Sequence, residues 1–207
     1  PAIDLLVIDE AHHAAAETYR RVIDHALELN PTCQVLGLTA TPNRSDGKGL
    51  REVFSNVADQ ISLGELIRSG HLVTPRTFVV DVGVKNELSK VKTSGADYDM
   101  VAVDKIMNQR PINDAVVEQW LEKAENRKTV VFCSTVAHAE AVAATFNDHG
   151  ISAVLITGQM SYEERNKNLL SYSEGKSNVI VNVQVLTEGW DHPPTSCVVL
   201  DRKSTRL

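Results

Sequence analysis

Several features that would assign this sequence to a class at once are absent from it. No apolar run in its 207 residues is long enough to cross a bilayer, and no segment has the build of a signal peptide. There is no Gly-rich loop ending in Gly-Lys-Ser/Thr, so these residues contain no cradle for a nucleotide's phosphates. Ser45-Asp46-Gly47-Lys48-Gly49 imitates one but has no hydroxyl after its lysine, and it is expected to be a surface loop. The three cysteines, Cys33, Cys133 and Cys197, are far apart, lie in or beside apolar runs and show no metal-ligand spacing. Buried, reduced thiols in a cytoplasmic protein are the expectation. His12 and His13 are adjacent, but neighbours on a helix do not face one ligand, and no third ligand accompanies them.

An excess of positive charge is missing too. Against 21 Lys and Arg stand 27 Asp and Glu, for a net charge of −6. Any nucleic acid must then be held by a local cleft, because the chain has no bulk field to attract it. Repeats and low-complexity tracts are absent. With 43% hydrophobic and 23% charged residues, the composition is that of an ordinary globular chain, long enough for one large or two small domains.

The most informative feature present is Asp9-Glu10-Ala11-His12, directly after the apolar run Ile3 to Ile8. Paired carboxylates at the carboxyl end of a buried strand suit a phosphate-transfer site. Mg²⁺ keeps most of its waters and needs only one or two carboxylates, so Asp9 suffices to anchor it. Glu10 points elsewhere, where it can orient or deprotonate an attacking water. The competing reading is an ordinary strand ending in solvated acids at a helix start, where the helix dipole favours negative charge.

A second apolar run, Val35 to Leu38, ends in Thr39-Ala40-Thr41-Pro42. Between the runs Tyr19, Val22, Ile23, Ala26 and Leu27 recur at helical spacing, which predicts a βαβ unit with both motifs on one sheet edge. Hydroxyls there can bond His12 and the carboxylates. Alone, Thr39 and Thr41 would be plain turn chemistry.

With these two motifs the chain resembles superfamily 2 helicases and translocases of the DEAD/DEAH type, near the bacterial and phage branch of DNA-repair helicases and restriction-enzyme motor subunits. Asp9 to His12 correspond to motif II and Thr39 to Pro42 to motif III. The resemblance implies two truncated RecA-like parallel-sheet lobes of the α/β class, ATP and Mg²⁺ as cofactors, and DNA or RNA as partner. It implies Mg²⁺ at Asp9, catalysis through Glu10 and His12, and coupling of hydrolysis to nucleic acid through Thr39 and Thr41.

The match continues. Thr129 to Cys133 reads as a strand and leads to a helix with Ala139, Val142, Ala143 and Phe146 on one face, similar to motif IV. The strand Ala153 to Ile156 is followed by the loop Thr157 to Met160. The resemblance makes Thr157 and Gly158 candidate nucleic-acid contacts, with a simple Gly-containing turn as the alternative. After the strand Asn178 to Val183, residues Leu186 to Pro193 resemble motif V. There the family places Thr187 toward nucleic acid and Gly189 and Asp191 toward the nucleotide. Trp190 is expected to pack rather than stack on a base.

The organisation expected is a first lobe over 1–75, a second over 76–200, and a tail. Leu63, Leu66 and Ile67 form a short helical face at the join, and Thr77 to Val82 alternates as a strand opening the second lobe. Asn86 to Arg110 reads as a loop or insertion with a helix near Met100 to Met107, before an amphipathic helix on Ile112, Val116, Trp120 and Ala124. Cys197 to Leu200 should be a further strand. It runs into Asp201-Arg202-Lys203-Ser204-Thr205-Arg206-Leu207, which resembles the translation of a sequencing adapter, GAT-CGG-AAG-AGC-ACA-CGT-CTG. Residues 201–207 are therefore expected to be a nonnative tail, Arg202 and Arg206 are not arginine fingers, and the chain is expected to be a catalytically inactive fragment carrying motifs II to V.

Overall fold

The computed structural model describes residues 3–42, 50–94, 97–187 and 189–202, and divides into two compact units, Pro1–Thr77 and Phe78–Leu207. Ser45 to Gly49 and Lys203 to Leu207 lie outside the described residues.

The first unit is a βαβ unit. Strand β1 (Leu5–Ile8) pairs in parallel with β2 (Gln34–Gly37), in the register Leu5↔Gln34 to Ile8↔Gly37, and helix α1 (Glu17–Leu29) joins them. Side chains alternate across a strand, so Leu6, Ile8 and Val35 share one face and pack with Ile23, Tyr19, Val53 and Phe54. Ile23 and Ala26 are the buried residues of α1, whereas Val22, expected on the same face, is exposed. Gly37 is required by close approach: a Cβ there would lie 2.4 Å from Phe54 Cζ and 2.8 Å from Ala11 Cβ. Helix α2 (Leu63–Arg68) follows, opened by a reciprocal capping box between Ser62 and Glu65. The bonds from Ser62 hold the Glu65 carboxyl below its ordinary value.

The second unit is built on four parallel strands: β5 (Thr129–Cys133), β6 (Ala153–Ile156), β7 (Val179–Asn182) and β8 (Cys197–Asp201), in the order β6-β7-β5-β8. Continuous Val/Ile runs form these strands because both faces of a parallel sheet are covered. One face packs Val131, Cys133, Val179 and Val181 against α5 (Arg110–Lys123) and α6 (Val136–Asp148) through Val117, Trp120, Val142 and Phe146. The other packs Val130, Ile156 and Ile180 against Tyr172 of α7 (Tyr162–Ser173) and against Leu186 and Trp190. The crossover from β7 to β8 carries no helix among its described residues; a strap of bends and turns stands in for one.

Several expectations are corrected. Thr77 to Val82 forms no strand: Val79 is 94% exposed and no strand pairs with the segment among the described residues. Alternation alone does not make a strand without a partner to take its hydrogen bonds. Between Asn86 and Arg110 stand not only α4 (Met100–Met107) but also α3 (Lys85–Ser89) and a short antiparallel pair, β3 (Thr93–Ser94) with β4 (Asp97–Tyr98). In α5, Val117 rather than Val116 is the fully buried position. Strand β8, expected over Cys197 to Leu200, runs one residue further to Asp201, which is buried.

Candidate nucleotide and nucleic-acid site

Motif II begins where β1 stops. Glu10 takes the left-handed conformation, φ 50° and ψ 46°, which a non-glycine residue adopts at a cost. That turn lets the Glu10 N–H donate to Asp9 Oδ1 at 2.9 Å and starts a 3-10 turn over Ala11–His13. Two backbone bonds fasten it to the next strand: Leu38 N–H donates to the Ile8 carbonyl, and Ala11 N–H to the Leu38 carbonyl, each at 2.9 Å. The ends of β1 and β2 are thereby locked side by side.

Across this junction the side chains converge on His12. Its Nδ1 lies 3.1 Å from Thr39 Oγ1, 3.5 Å from Thr41 Oγ1 and 3.3 Å from Glu10 Oε2. Thr39 Oγ1 also accepts from the Thr41 N–H, which closes the T-A-T turn on itself. Sequence spacing placed these residues on one sheet edge; the structure puts one imidazole nitrogen between an acid of motif II and the hydroxyls of motif III. Asp9 stays exposed, beside an open depression formed with Leu6, Ile8, Thr18, Tyr19 and Val22. An accessible carboxylate with a second acid next to it is a hard-oxygen donor set of the kind Mg²⁺ takes, so the residues fit that ion.

In the second unit Thr187, Gly189 and Asp191 are all exposed on the strap. Gly189 has φ 69°, and a Cβ there would meet nothing within 4 Å, so its backbone is open to close approach. Gly158 is likewise exposed, with open space around it. Thr157 is not: it is 3% exposed, and its carbonyl accepts from Arg165 Nη2 at 3.3 Å. The Thr157 side chain is thus enclosed in the turn at the end of β6, and Gly158 is the exposed residue of the pair. Trp190 packs on the α7 face of the sheet.

Two features were missed. Asn182, fully buried at the end of β7, donates from Nδ2 to the Val131 carbonyl at 3.0 Å and accepts the Leu186 N–H on Oδ1 at 3.3 Å. It pins the start of motif V to β5. A polar residue closing an otherwise apolar strand was the signal available for it. Asn182→Ala strips partners from two buried backbone groups and is expected to cost about 1–3 kcal/mol, read as a lower urea midpoint with unchanged slope. The second is a buried meeting of Cys133, His138 and Asp201, whose ligand atoms all lie within 4.8 Å of one another. His138 Nε2 is 3.2 Å from Asp201 Oδ2, and burial, with the charge of Asp201 adding to it, pushes the Cys133 thiol well up. Three donors sealed from water fall one short of a closed tetrahedral metal site, and the group reads as a buried His–Asp pair under β5.

Parallel sheets with acidic and hydroxyl motifs at their carboxyl ends define a RecA-like α/β protein. A model of the helicase conserved C-terminal domain matches residues 112–204, and a model described as type III restriction enzyme, res subunit, matches residues 2–44. IRC3 of Saccharomyces cerevisiae, named as a candidate ATP-dependent helicase, is 28% identical over 206 residues, covering 97% of this chain and 30% of that protein. Schizosaccharomyces pombe irc3, named as a candidate mitochondrial ATP-dependent helicase, is 32% identical over 200 residues, covering 94% of this chain and 32% of that protein. The chain thus spans about a third of the length of either relative. Among solved structures, S. cerevisiae Dbp5 L327V bound to RNA and ADP BeF3 shares the fold, with a TM-score of 0.53 at 14% identity over 97% of this chain and 44% of that one. These matches support reading the chain as a segment of the superfamily 2 helicase type.

Proposed function

We propose that this chain is the motor segment of an ATP-dependent DNA helicase that couples hydrolysis to movement along a strand. The observation that carries the reading is the bridge from Glu10 through His12 to Thr39 and Thr41, which joins an acid suited to hydrolysis to hydroxyls suited to coupling. Asp9 would hold Mg²⁺, which when bound supplies charge neutralisation on the nucleotide's phosphates. Glu10 orients a water and accepts its proton. His12 holds Glu10 against the motif III hydroxyls, so a change felt at one motif displaces the other. In the second unit Gly189 offers open backbone and Asp191 an exposed carboxylate for the nucleotide, while Thr187 and Gly158 are the exposed candidates for the nucleic-acid backbone.

A duplex translocase that moves without separating strands is the second reading, favoured by the restriction-subunit model over residues 2–44. The intact gene product decides between them. ATP-dependent strand displacement on a forked DNA duplex is expected; displacement of a triplex-forming third strand without duplex opening would establish the translocase. ATP turnover stimulated by RNA and not by DNA would overturn the choice of DNA.

A further inference from the structure

Among its described residues the strap between β7 and β8 has no helix to hold it, yet it carries the segment that resembles motif V. Its hold comes from a compact group of rings. The His192 ring lies parallel to that of Trp190, at an interplanar angle of 9° with centroids 5.8 Å apart, and 5.0 Å from the ring of Tyr172. Tyr172 is fully buried on α7. A single hydroxyl closes the group: Thr195 Oγ1 is 2.9 Å from His192 Nδ1 and 2.7 Å from Tyr172 Oη. The Thr195 N–H also donates to the His192 carbonyl at 2.9 Å, folding the strap back at Pro193-Pro194. Behind Tyr172, Lys128 Nζ sits 4.7 Å from the ring centroid and donates to the Tyr172 and Ser173 carbonyls.

We propose that His192 is the positioning residue of motif V: clamped between the Trp190 ring and the Thr195 hydroxyl, it fixes the Gly189-Trp190-Asp191 turn on the strap. The reading of that turn as nucleotide-facing gives the clamp its purpose, but the clamp itself stands on geometry. Thr195 can donate to Nδ1 of a neutral imidazole while accepting from Tyr172, so one hydroxyl serves both rings. A proton on Nδ1 turns that nitrogen from acceptor to donor, so the Thr195 hydroxyl can no longer donate to it, and it adds a cation within the field of Lys128.

The charged and titratable groups facing His192 are Lys128, Asp191 and Tyr172. Burial first, and Lys128 second, lower the imidazole's affinity for a proton, and Asp191 opposes them. The folded state therefore binds that proton less readily than the unfolded chain. The clamp's contribution is complete above the unfolded histidine value, about 6.5, and is lost as the pH falls from there toward the folded value.

The test uses the 207-residue chain and nuclear magnetic resonance, with His192→Asn identifying the His192 signals. The Trp190 indole is expected to shift with the same midpoint as His192, and that midpoint should lie below about 6.5. In His192→Asn the Thr195 amide, which donates to the carbonyl of residue 192, should exchange at least about tenfold faster, while Val130 and Ile180 keep their protection. If His192→Asn does not fold, Thr195→Val removes the shared hydroxyl and faces the same comparison. A Trp190 signal indifferent to the titration of His192, or unchanged exchange at Thr195, overturns the proposal. Neither measurement needs ATP turnover, so failure of the clamp is distinguishable from failure of the helicase reading.

Discussion

On the proposed helicase function, Glu10→Gln in the intact gene product is expected to lower ATP turnover at least about a hundredfold while ATP affinity stays within a few-fold. The amide keeps the shape of the side chain and its reach toward His12, 3.3 Å away, but no longer accepts a proton from water. Asp9, one residue back, is untouched, so the carboxylate suited to the metal remains. The left-handed backbone at Glu10 belongs to the turn and not to the carboxylate, and Gln tolerates it as Glu does. Steady-state turnover with saturating nucleic acid, set beside equilibrium binding of ATP, separates the two effects. Unchanged turnover would remove Glu10 from the chemistry and with it the assignment of motif II. A large loss of affinity instead would move Glu10 from activating water to holding the nucleotide.

The local character of this site is why so much of it was legible. Motif II follows its strand without a gap, motif III does the same, and the parallel register Ile8↔Gly37 puts the two ends together almost by necessity once a βαβ unit forms. In the second unit the strands announced themselves as Val/Ile runs, and Ala139, Val142, Ala143 and Phe146, chosen for helical spacing, are all buried. Alternation was the misleading signal. Phe78, Val80 and Val82 repeat with strand period, but pairing depends on a partner the local sequence does not specify. The antiparallel pair of β3 and β4 spans two residues on each side, too short for any period to show. The meeting of His138 with Asp201 needed the order β7-β5-β8, a non-local fact, and so did the clamp on His192, where α7, the strap and the residue before β5 come together. Thr157 shows the limit of a motif: its position was legible, its burial was not.

Phe146→Ala is expected to cost about 3–5 kcal/mol of the stability of the second unit. Phe146 is fully buried on α6 and meets the Trp120 ring edge to face, with centroids 5.5 Å apart at 87°. Its neighbours in the same core are the backs of β5 and β7, through Val131, Cys133, Val179 and Val181. Truncation removes the transfer energy of a whole ring and leaves a hole the sheet has little freedom to close, because its other face is packed as well. The geometric preference of the aromatic pair adds about 0.5–1.5 kcal/mol to the loss. Trp120 is anchored independently, its Nε1–H donating to Thr129 Oγ1 at 2.7 Å, so it stays in place and does not swing in to fill the space. Since a domain is typically stable by only about 5–15 kcal/mol, the variant should be partly unfolded near physiological temperature. Urea denaturation followed by Trp120 fluorescence measures the difference, and a loss below about 1 kcal/mol would mean that α6 is not seated on the sheet through this side chain.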